Sequence, residues 1–238
     1  MSQLGSPHLH LRSVGSTNDR ARELAAAGAP HGTLVSADHQ SSGRGRQGRE
    51  WVAPAGSSLL ISLLLRDPPP LLALIAAVAV AEVCGSAAQI KWPNDILLTS
   101  DDAPAAKVAG ILCEARPQQD WAVVGVGLNA ALDLALLPSE LSGRAATLGL
   151  RSEQRAQLLG RLIGQFEAAL ALPEQLILAR WQQRDALIGK EVGWREGDAE
   201  ATGTALGVSA NGSLLVRRED GLELELSAGE VHLTPVGS

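Results

Sequence analysis

The chain has 238 residues, a net charge of −6 and a hydrophobic fraction of 45%, which is typical of a globular protein and excludes a disordered chain or a coiled coil. A pI of about 5.4 excludes a protein that binds nucleic acid through a basic surface. Two cysteines, Cys84 and Cys113, exclude a disulfide framework and fit a cytoplasmic location, and the longest apolar run, 71–81, is too short to span a bilayer.

Taken in chain order, short apolar runs between turn residues predict strands, and longer runs with helical periodicity predict helices, in one domain over residues 1–187. The clearest helix is 153–172, in which Leu158, Leu162 and Phe166 recur on one face. The predicted strands are 9–14, 33–37, 57–65, 90–98, 107–116 and 121–129, and a turn at 93–95 interrupts the strand 90–98. The predicted helices are 19–27, 71–88, 153–172 and 173–187. The predicted loops are 38–50, 99–106 and 139–143.

After Gly189 the pattern changes to short strands separated by Gly, Asn and Asp. This pattern predicts a small β-barrel over residues 188–238, with strands at 192–194, 199–208, 213–218, 223–227 and 230–233. The predicted fold class is therefore α+β: a mixed sheet with helices, followed by a small barrel.

Residues 43–51, GRGRQGREW, form a segment of glycines and arginines, here called the Arg/Gly segment. It fits the G-x-G-x-x-G pattern, but a polar stretch precedes it and a proline follows, so it cannot open the helix that a Rossmann fold requires. Glycines let backbone N–H groups approach phosphate oxygens, and Arg44, Arg46 and Arg49 face only Glu50. The segment therefore indicates an anion site, with a solvated surface loop as the alternative.

Three further segments place polar residues within apolar runs. In the segment 91–95, KWPND, the alternative to a site is a simple turn. The segment 107–114, KVAGILCE, opens with Lys107 and is interpreted as a charge above a shallow floor at Gly110, the alternative being a charge that guards a strand edge. The glycines of 125–129, GVGLN, permit close approach of a flat ligand to a strand.

Together and in this order, the four segments resemble the signature set of the biotin–protein ligase family, over about residues 9–129. The resemblance implies a catalytic domain related to class II synthetases, followed by an SH3-like barrel. It also implies two reactions: biotin and ATP give biotinyl-5′-AMP and pyrophosphate, and biotin then passes to one lysine of a biotin carboxyl carrier protein domain of a carboxylase. Mg²⁺ is expected with ATP.

The resemblance also implies site residues. Hydroxyl and amide groups would bind the ureido end of biotin, and a tryptophan would form part of the apolar wall along its tail: Ser16, Thr17, Asn18, Gln40 and Trp51. Gly110 is a further candidate binding residue. The phosphates and the adenylate would lie against Arg44, Gly45, Arg46, Lys91 and Lys107, with Gly127 and Asn129 at the adenine.

Four of the residues match catalytic positions: Lys107, Arg46, Asp95 and Lys91. Lys107 would stabilise charge between the biotin carboxylate and the phosphate that it attacks, Arg46 would retain the adenylate, and Lys91 would assist at the phosphates. Asp95 is the candidate base, because the carrier lysine must attack as a neutral amine although its free pKa is near 10.4. The sequence indicates no metal ligands in the protein.

Two alternatives remain at this point. One is a lipoate-type ligase on a related fold, and the other is a binding module without adenylation, which would have no use for four cations. Because the predicted catalytic domain begins within about ten residues of Met1, we expect a monofunctional ligase without the N-terminal helix-turn-helix of bifunctional members. No aromatic residue lies between 130 and 150 to cover adenine. We expect no binding to nucleic acid or membrane, and the sequence leaves monomer and homodimer open.

Overall fold

The structure, a computed structural model, describes residues 4–100, 104–137, 141, 143–196, 199–227 and 231–233. The strands are β1 (His8–Leu11), β2 (Leu34–Ala37), β3 (Ser58–Arg66), β4 (Ala88–Lys91), β5 (Asp95–Leu98), β6 (Ala106–Arg116), β7 (Trp121–Asn129), β8 (Glu191–Glu196), β9 (Ala199–Val208), β10 (Leu214–Arg217), β11 (Glu223–Leu226) and β12 (Val231–Leu233). The helices are α1 (Thr17–Ala26), α2 (Leu72–Cys84), α3 (Arg155–Leu170) and α4 (Glu174–Gln182).

The first seven strands form one mixed sheet in the order β1-β2-β3-β7-β6-β5-β4. Only β1 and β2 are parallel, and the other neighbouring pairs are antiparallel. Hairpin connections join β4 to β5 and β6 to β7, so sequence neighbours become sheet neighbours. Strands β6 and β7 carry the segments 107–114 and 125–129, and β4 and β5 with their connection carry the segment 91–95.

One face of the sheet carries the main hydrophobic core. Alternate residues of β3 and β7, such as Leu63 and Val124, point to this face and belong to the same core cluster as the buried residues of α2. Helix α2 is apolar on all sides because the sheet covers one side while α3 and α4 cover the other. This layer fixes the central strands rigidly beneath the site.

The opposite face is only partly covered. Helix α1 packs Ala21 and Ala25 against Leu64, Val123 and Trp121 in a small second core. Further along the same face, the residues that alternation places on it from β3, β7 and β6 include a serine and three glycines: Ser62, Gly125, Gly127 and Gly110. Because these residues fill little space, an open cleft lies beside the N-terminus of α1.

A second sheet of five antiparallel strands follows, in the order β11-β10-β9-β8-β12. Its apolar side chains, among them Val192 and Trp194, belong to the same core as the first sheet. The indole Nε1 of Trp92 also donates to the Gly212 carbonyl at 3.1 Å. The predicted fold class, a mixed sheet with helices followed by a small β-barrel, is confirmed, the second unit being this antiparallel sheet, whereas the boundary between residues 187 and 188 stays a prediction.

Two predicted helices were too long. Helix α2 ends at Cys84 because Gly85 takes a φ of 100°, and Ala88 already starts β4. Helix α4 ends at Gln182, and the Arg184 carbonyl accepts a hydrogen bond from the Ile90 N–H at 2.7 Å instead. Pairing with a distant strand is not visible in local periodicity.

Parts of three predicted segments, at residues 101–103, 139–140, 142 and 230, lie outside the described residues. Within the described part of the chain, no helix is long and apolar enough to cross a membrane.

Candidate active site

The cleft lies between the N-terminus of α1, the Arg/Gly segment and the central strands, and it encloses about 930 Å³ including its open mouth. Cations outnumber anions in its lining, with Arg44, Arg46, Arg49, Lys91 and Lys107 facing Glu50 and Asp95. The cleft is therefore suited to an anionic ligand.

One end of the cleft is a buried polar network at the N-terminus of α1. Ser62 Oγ, which is fully buried on β3, lies 2.8 Å from Thr17 Oγ1 and 2.6 Å from Asn18 Oδ1. Gln40 Oε1 accepts from both the backbone N–H and the hydroxyl of Thr17, at 2.7 and 2.9 Å. A Cβ at Gly125 would overlap Asn18 Oδ1, so the glycine is required for this arrangement. The predicted polar group is thus assembled around a serine that sequence reasoning did not select.

Ser16 precedes α1 and makes no side-chain capping bond to it. Its hydroxyl, which lines the cleft and is almost fully buried, remains available to a ligand. The N-terminus of a helix adds partial positive charge and free backbone N–H groups. This end of the cleft can therefore donate to a carbonyl oxygen and accept from ring N–H groups.

The middle of the cleft is formed by the Trp51 indole, which lies flat on the sheet. A Cβ at Gly127 would be 2.5 Å from Trp51 Cε2, and one at Gly110 would be 3.0 Å from Cζ3. The expectation that the glycines of 125–129 admit a flat ligand is corrected at Gly127, where the flat group is the protein's own indole. The indole Nε1 is buried and has no hydrogen-bond partner among the described residues.

Lys107 and Asp95 form an ion pair in the cleft, with 2.7 Å between Nζ and Oδ1. The Lys107 ammonium also lies 5.4 Å from the centroid of the Trp51 ring, within cation–π range. A register shift between β5 and β6 pairs Ile96 with Ala109 but Leu97 with Lys107, which is a β-bulge. The bulge brings Lys107 to the same face as Gly110. A Cβ added at Gly110 would lie 3.2 Å from Lys107 Nζ, which confirms the prediction of a charge above this glycine.

The Arg/Gly segment folds back on itself beside α1. The Trp51 N–H donates to the Gly43 carbonyl at 2.9 Å, and the Gly45 N–H donates to the Arg49 carbonyl at 2.7 Å. A Cβ at Gly43 would overlap the Trp51 carbonyl oxygen, so this close return requires a glycine. Arg44 Nη1 donates to Asp19 Oδ1 at 2.8 Å; this bond and the nearby Glu114 carboxylate raise the pKa of the Arg44 guanidinium, which stays charged.

The structure brings all of the predicted site residues to the cleft except Asn129. The Asn129 side chain is buried behind the cleft, where it accepts from Ser58 Oγ at 3.2 Å and donates to the Ala146 carbonyl at 3.0 Å. Each end of its amide thus makes one hydrogen bond that fixes the chain after β7, and its contact with adenine stays a prediction.

Sequence reasoning missed several residues of the cleft. Ser62 is the clearest, and its signal was a lone hydroxyl in the middle of an apolar strand. Asn94 connects the turn after β4 to β6. Its side-chain Nδ2 donates to the Ile111 carbonyl at 3.1 Å, and its backbone carbonyl accepts from the Ile111 N–H at 2.9 Å. Val231 reaches the cleft from the second sheet, which no local pattern could reveal.

Comparison with known proteins agrees with this geometry. The Biotin/lipoate A/B protein ligase family matches residues 11–130, and the Biotin protein ligase C terminal domain matches residues 187–233. The first match contains every predicted site residue. The signature segments and the second sheet thus lie in regions that the family defines.

Individual relatives match nearly the whole chain. This chain is 34% identical to a biotin--[acetyl-CoA-carboxylase] ligase of Paracoccus denitrificans, over 93% of this chain and 98% of the relative. It is 33% identical to the bifunctional ligase/repressor BirA of Bacillus subtilis, over 94% of this chain and 74% of the relative. The solved structure of a biotin protein ligase from Aquifex aeolicus in complex with biotin and ATP covers 96% of this chain, with a TM-score of 0.76 and 27% identity. The resemblance found in the sequence is confirmed, and the chain belongs to the biotin protein ligase family.

Proposed function

We propose that this protein is an ATP-dependent ligase that joins biotin to ATP, giving biotinyl-5′-AMP and pyrophosphate, and then transfers biotin to a lysine of a carboxylase carrier protein. The observation that carries the proposal is the composition of one cleft. A buried hydrogen-bonding end, an apolar indole and the Lys107–Asp95 pair follow each other within it. Relatives named as biotin--[acetyl-CoA-carboxylase] ligases support the choice of carrier.

The polar end of the cleft favours biotin over lipoate. The ureido ring of biotin has one carbonyl oxygen and two N–H groups, which match the hydroxyl and amide groups of Ser16, Thr17, Asn18 and Gln40. The dithiolane ring of lipoate has no comparable donors or acceptors and would leave this buried end unpaired. The lipoate-type alternative is therefore disfavoured by the chemistry of the cleft.

The excess of cations supports binding of ATP at the other end. We assign Lys107 to the biotin carboxylate and the α-phosphate, where a cation offsets repulsion between two anions and stabilises the transition state. Arg44, Gly45, Arg46 and Lys91 would surround the remaining phosphates. Gly127 would be a support for the Trp51 wall rather than an adenine contact.

We infer that Mg²⁺ enters the cleft bound to ATP. Among the residues that the structure describes, no three His, Cys, Asp or Glu side chains are placed to hold a metal ion. Mg²⁺ typically binds substrate phosphates and keeps several waters, so it does not need a cage built by the protein. When bound, it neutralises phosphate charge.

In the second reaction, Asp95 would orient the carrier lysine and accept its proton. The ion pair adds a condition to this role, because Asp95 Oδ1 is already 2.7 Å from Lys107 Nζ. When the acyl phosphate group of biotinyl-5′-AMP attracts Lys107 away from Asp95, the Asp95 carboxylate becomes available to the incoming amine. One pair of side chains can thus serve both reactions in turn.

The test is incubation with biotin, MgATP and radiolabelled pyrophosphate. Biotin-dependent exchange of label into ATP is expected, without exchange when lipoate replaces biotin. Exchange with lipoate alone would favour the alternative ligase. Absence of exchange with both acids would refute adenylation and leave a binding module.

Three further expectations belong to the proposal. We expect a cytoplasmic location, as for an enzyme that modifies cytoplasmic carboxylases, and no binding to nucleic acid or membranes. Strand β1 lies at one edge of the first sheet, with β2 as its only partner in that sheet's order. Such an edge could pair with a second copy, and sedimentation would distinguish the homodimer from the monomer.

A further inference from the structure

Glu114 lies near the end of β6, outside the lining of the cleft, and its carboxylate is contacted by three side chains, two from α1 and one from the Arg/Gly segment. Asn18 Nδ2 donates to Oε2 at 2.8 Å, and Arg22 Nη1 donates to Oε1 at 2.9 Å. Arg44 Nη1 lies 3.4 Å from the same Oε1. The carboxylate thus joins the start of α1 and the Arg/Gly segment to the central sheet.

Glu114 fixes the orientation of the Asn18 amide. The two N–H groups of Asn18 Nδ2 are directed to the Leu112 carbonyl at 3.2 Å and to Glu114 Oε2 at 2.8 Å. The amide oxygen therefore faces Ser62 and the cleft at Gly125. Because both donors are used, Asn18 can offer a ligand only an acceptor, which is what a ring N–H requires.

Glu114 also belongs to a ring of alternating charges that anchors the Arg/Gly segment. Asp19 Oδ1 accepts from Arg22 at 2.7 Å and from Arg44 at 2.8 Å, and Glu114 faces the same two guanidiniums from the other side. The Glu114 side chain is only 20% exposed, so solvent screens its charge less than that of a surface carboxylate. Loss of this charge would leave two cations beside one anion.

We propose that Glu114 is a positioning residue that couples recognition of a cyclic urea N–H by Asn18 to retention of the adenylate by the Arg/Gly segment. This inference rests on the proposed function, since it assumes that a cyclic urea occupies the polar end of the cleft. One carboxylate oxygen serves each part of the coupling: Oε2 orients the acceptor, and Oε1 faces the guanidinium of the segment.

The test compares Glu114→Gln with the unmodified protein. The substitution keeps the shape of the side chain but replaces one carboxylate oxygen by an NH₂ group. This group must face either the Asn18 Nδ2 or the guanidiniums, and because these groups are all donors, one donor would face another. We expect the Kd for biotin, measured by titration calorimetry, to rise about tenfold, and the release of biotinyl-AMP to become about tenfold faster. The KM for ATP in pyrophosphate exchange should rise less than the Kd for biotin, because Lys91 and Lys107 do not contact Glu114 and would still hold the phosphates, and general structural damage would not produce this difference.

Glu23→Gln is the matched control. Glu23 is a carboxylate on α1 that pairs with Arg20 at 2.7 Å and is 64% exposed. Its removal tests the loss of an ion pair on the same helix without contact to Asn18 or the Arg/Gly segment. All three constants should remain as in the unmodified protein.

A double-mutant cycle tests the coupling itself. If Glu114 anchors the segment through Arg44, then Arg44→Gln should accelerate biotinyl-AMP release less in the Glu114→Gln background than alone. Fully additive effects would overturn the coupling, and an unchanged biotin Kd in Glu114→Gln would overturn the positioning role. The proposed function fails separately, when the unmodified protein itself shows no biotin-dependent exchange.

Discussion

Gly127→Ala tests whether the Trp51 indole must lie on the sheet. The new Cβ would stand 2.5 Å from Trp51 Cε2 and 2.8 Å from Cδ2 and Nε1, whereas ordinary carbon contacts are about 3.5–4.0 Å. The indole must therefore move outward by about 1 Å. A misplacement of this size at a substrate-positioning group can cost about 10²-fold in rate, which we expect in the kcat/KM for biotin.

The assay is biotin-dependent pyrophosphate exchange, with urea unfolding of the same samples. Trp51 is only partly buried and can move away from the sheet into the open cleft, so we expect a smaller loss of stability than the 1–3 kcal/mol typical of an overpacked core.

Two control variants separate activity from stability. Gly203→Ala places a Cβ 2.5 Å from the Arg217 backbone oxygen in the second sheet, and should destabilise the protein without changing the KM for biotin. Gly160→Ala lies on α3 with nothing within 4 Å of the new Cβ and should stabilise by about 0.5–1 kcal/mol.

A Gly127→Ala variant that retains the kcat/KM of the unmodified protein within about twofold would refute the role of this glycine. A loss of activity only in proportion to the unfolded fraction would refute it equally, because the indole would then have no positioning role. A loss of activity in the folded state, absent from both controls, supports the role of the glycine floor.

The site and its surroundings give four further predictions. Ser62→Ala should weaken biotin binding about tenfold, since a buried acceptor loses its donor, whereas Ser58→Ala, also buried on β3 but bonded outside the cleft, should leave calorimetric biotin affinity unchanged. Asp95→Ala should leave adenylate synthesis largely intact and slow single-turnover transfer to the carrier by about 10²–10⁴-fold; transfer at the unmodified rate from preformed adenylate would exclude Asp95 as the base. Arg46→Gly should release biotinyl-AMP and label unrelated proteins, detectable by avidin blotting, and full retention of the adenylate would contradict this. Burial raises the pKa of Asp185, so its carboxyl contributes stability at low pH that is lost as pH rises through the raised pKa; Asp185→Asn should raise the urea midpoint at pH 7 more than at about pH 4, and equal shifts at both would refute the assignment.

The sequence was sufficient for much of the fold because the signals involved are local. Alternation in β3 and β7, helical spacing in α3 and the short strands after Gly189 each depend on neighbouring residues. The ends of α2 and α4 were misplaced because the residues just beyond each helix pair with a strand instead of continuing the helix. Residue 88 pairs in β4 with Leu98 of β5, and the carbonyl of Arg184 accepts from the backbone of Ile90.

The site showed a similar division. The sequence identified the segments that supply cations, glycines and amides, because those residue types are rare in apolar runs. It could not show that Ser62 joins Thr17 to Asn18, because these residues are separated by more than forty positions and meet only when β3 passes beneath α1.

By itself, the sequence determined the family, the order of the elements and the chemical character of the cleft. The tertiary structure decided which groups touch. The bulge in β6 places Lys107 above Gly110 and within 2.7 Å of Asp95, and the side chain missing at Gly127 lets Trp51 lie on the sheet. The bonds of Asn129 to Ser58 and Ala146 were not visible in the sequence for the same reason, since a strand pattern gives the type of a residue but not the partner that its side chain meets.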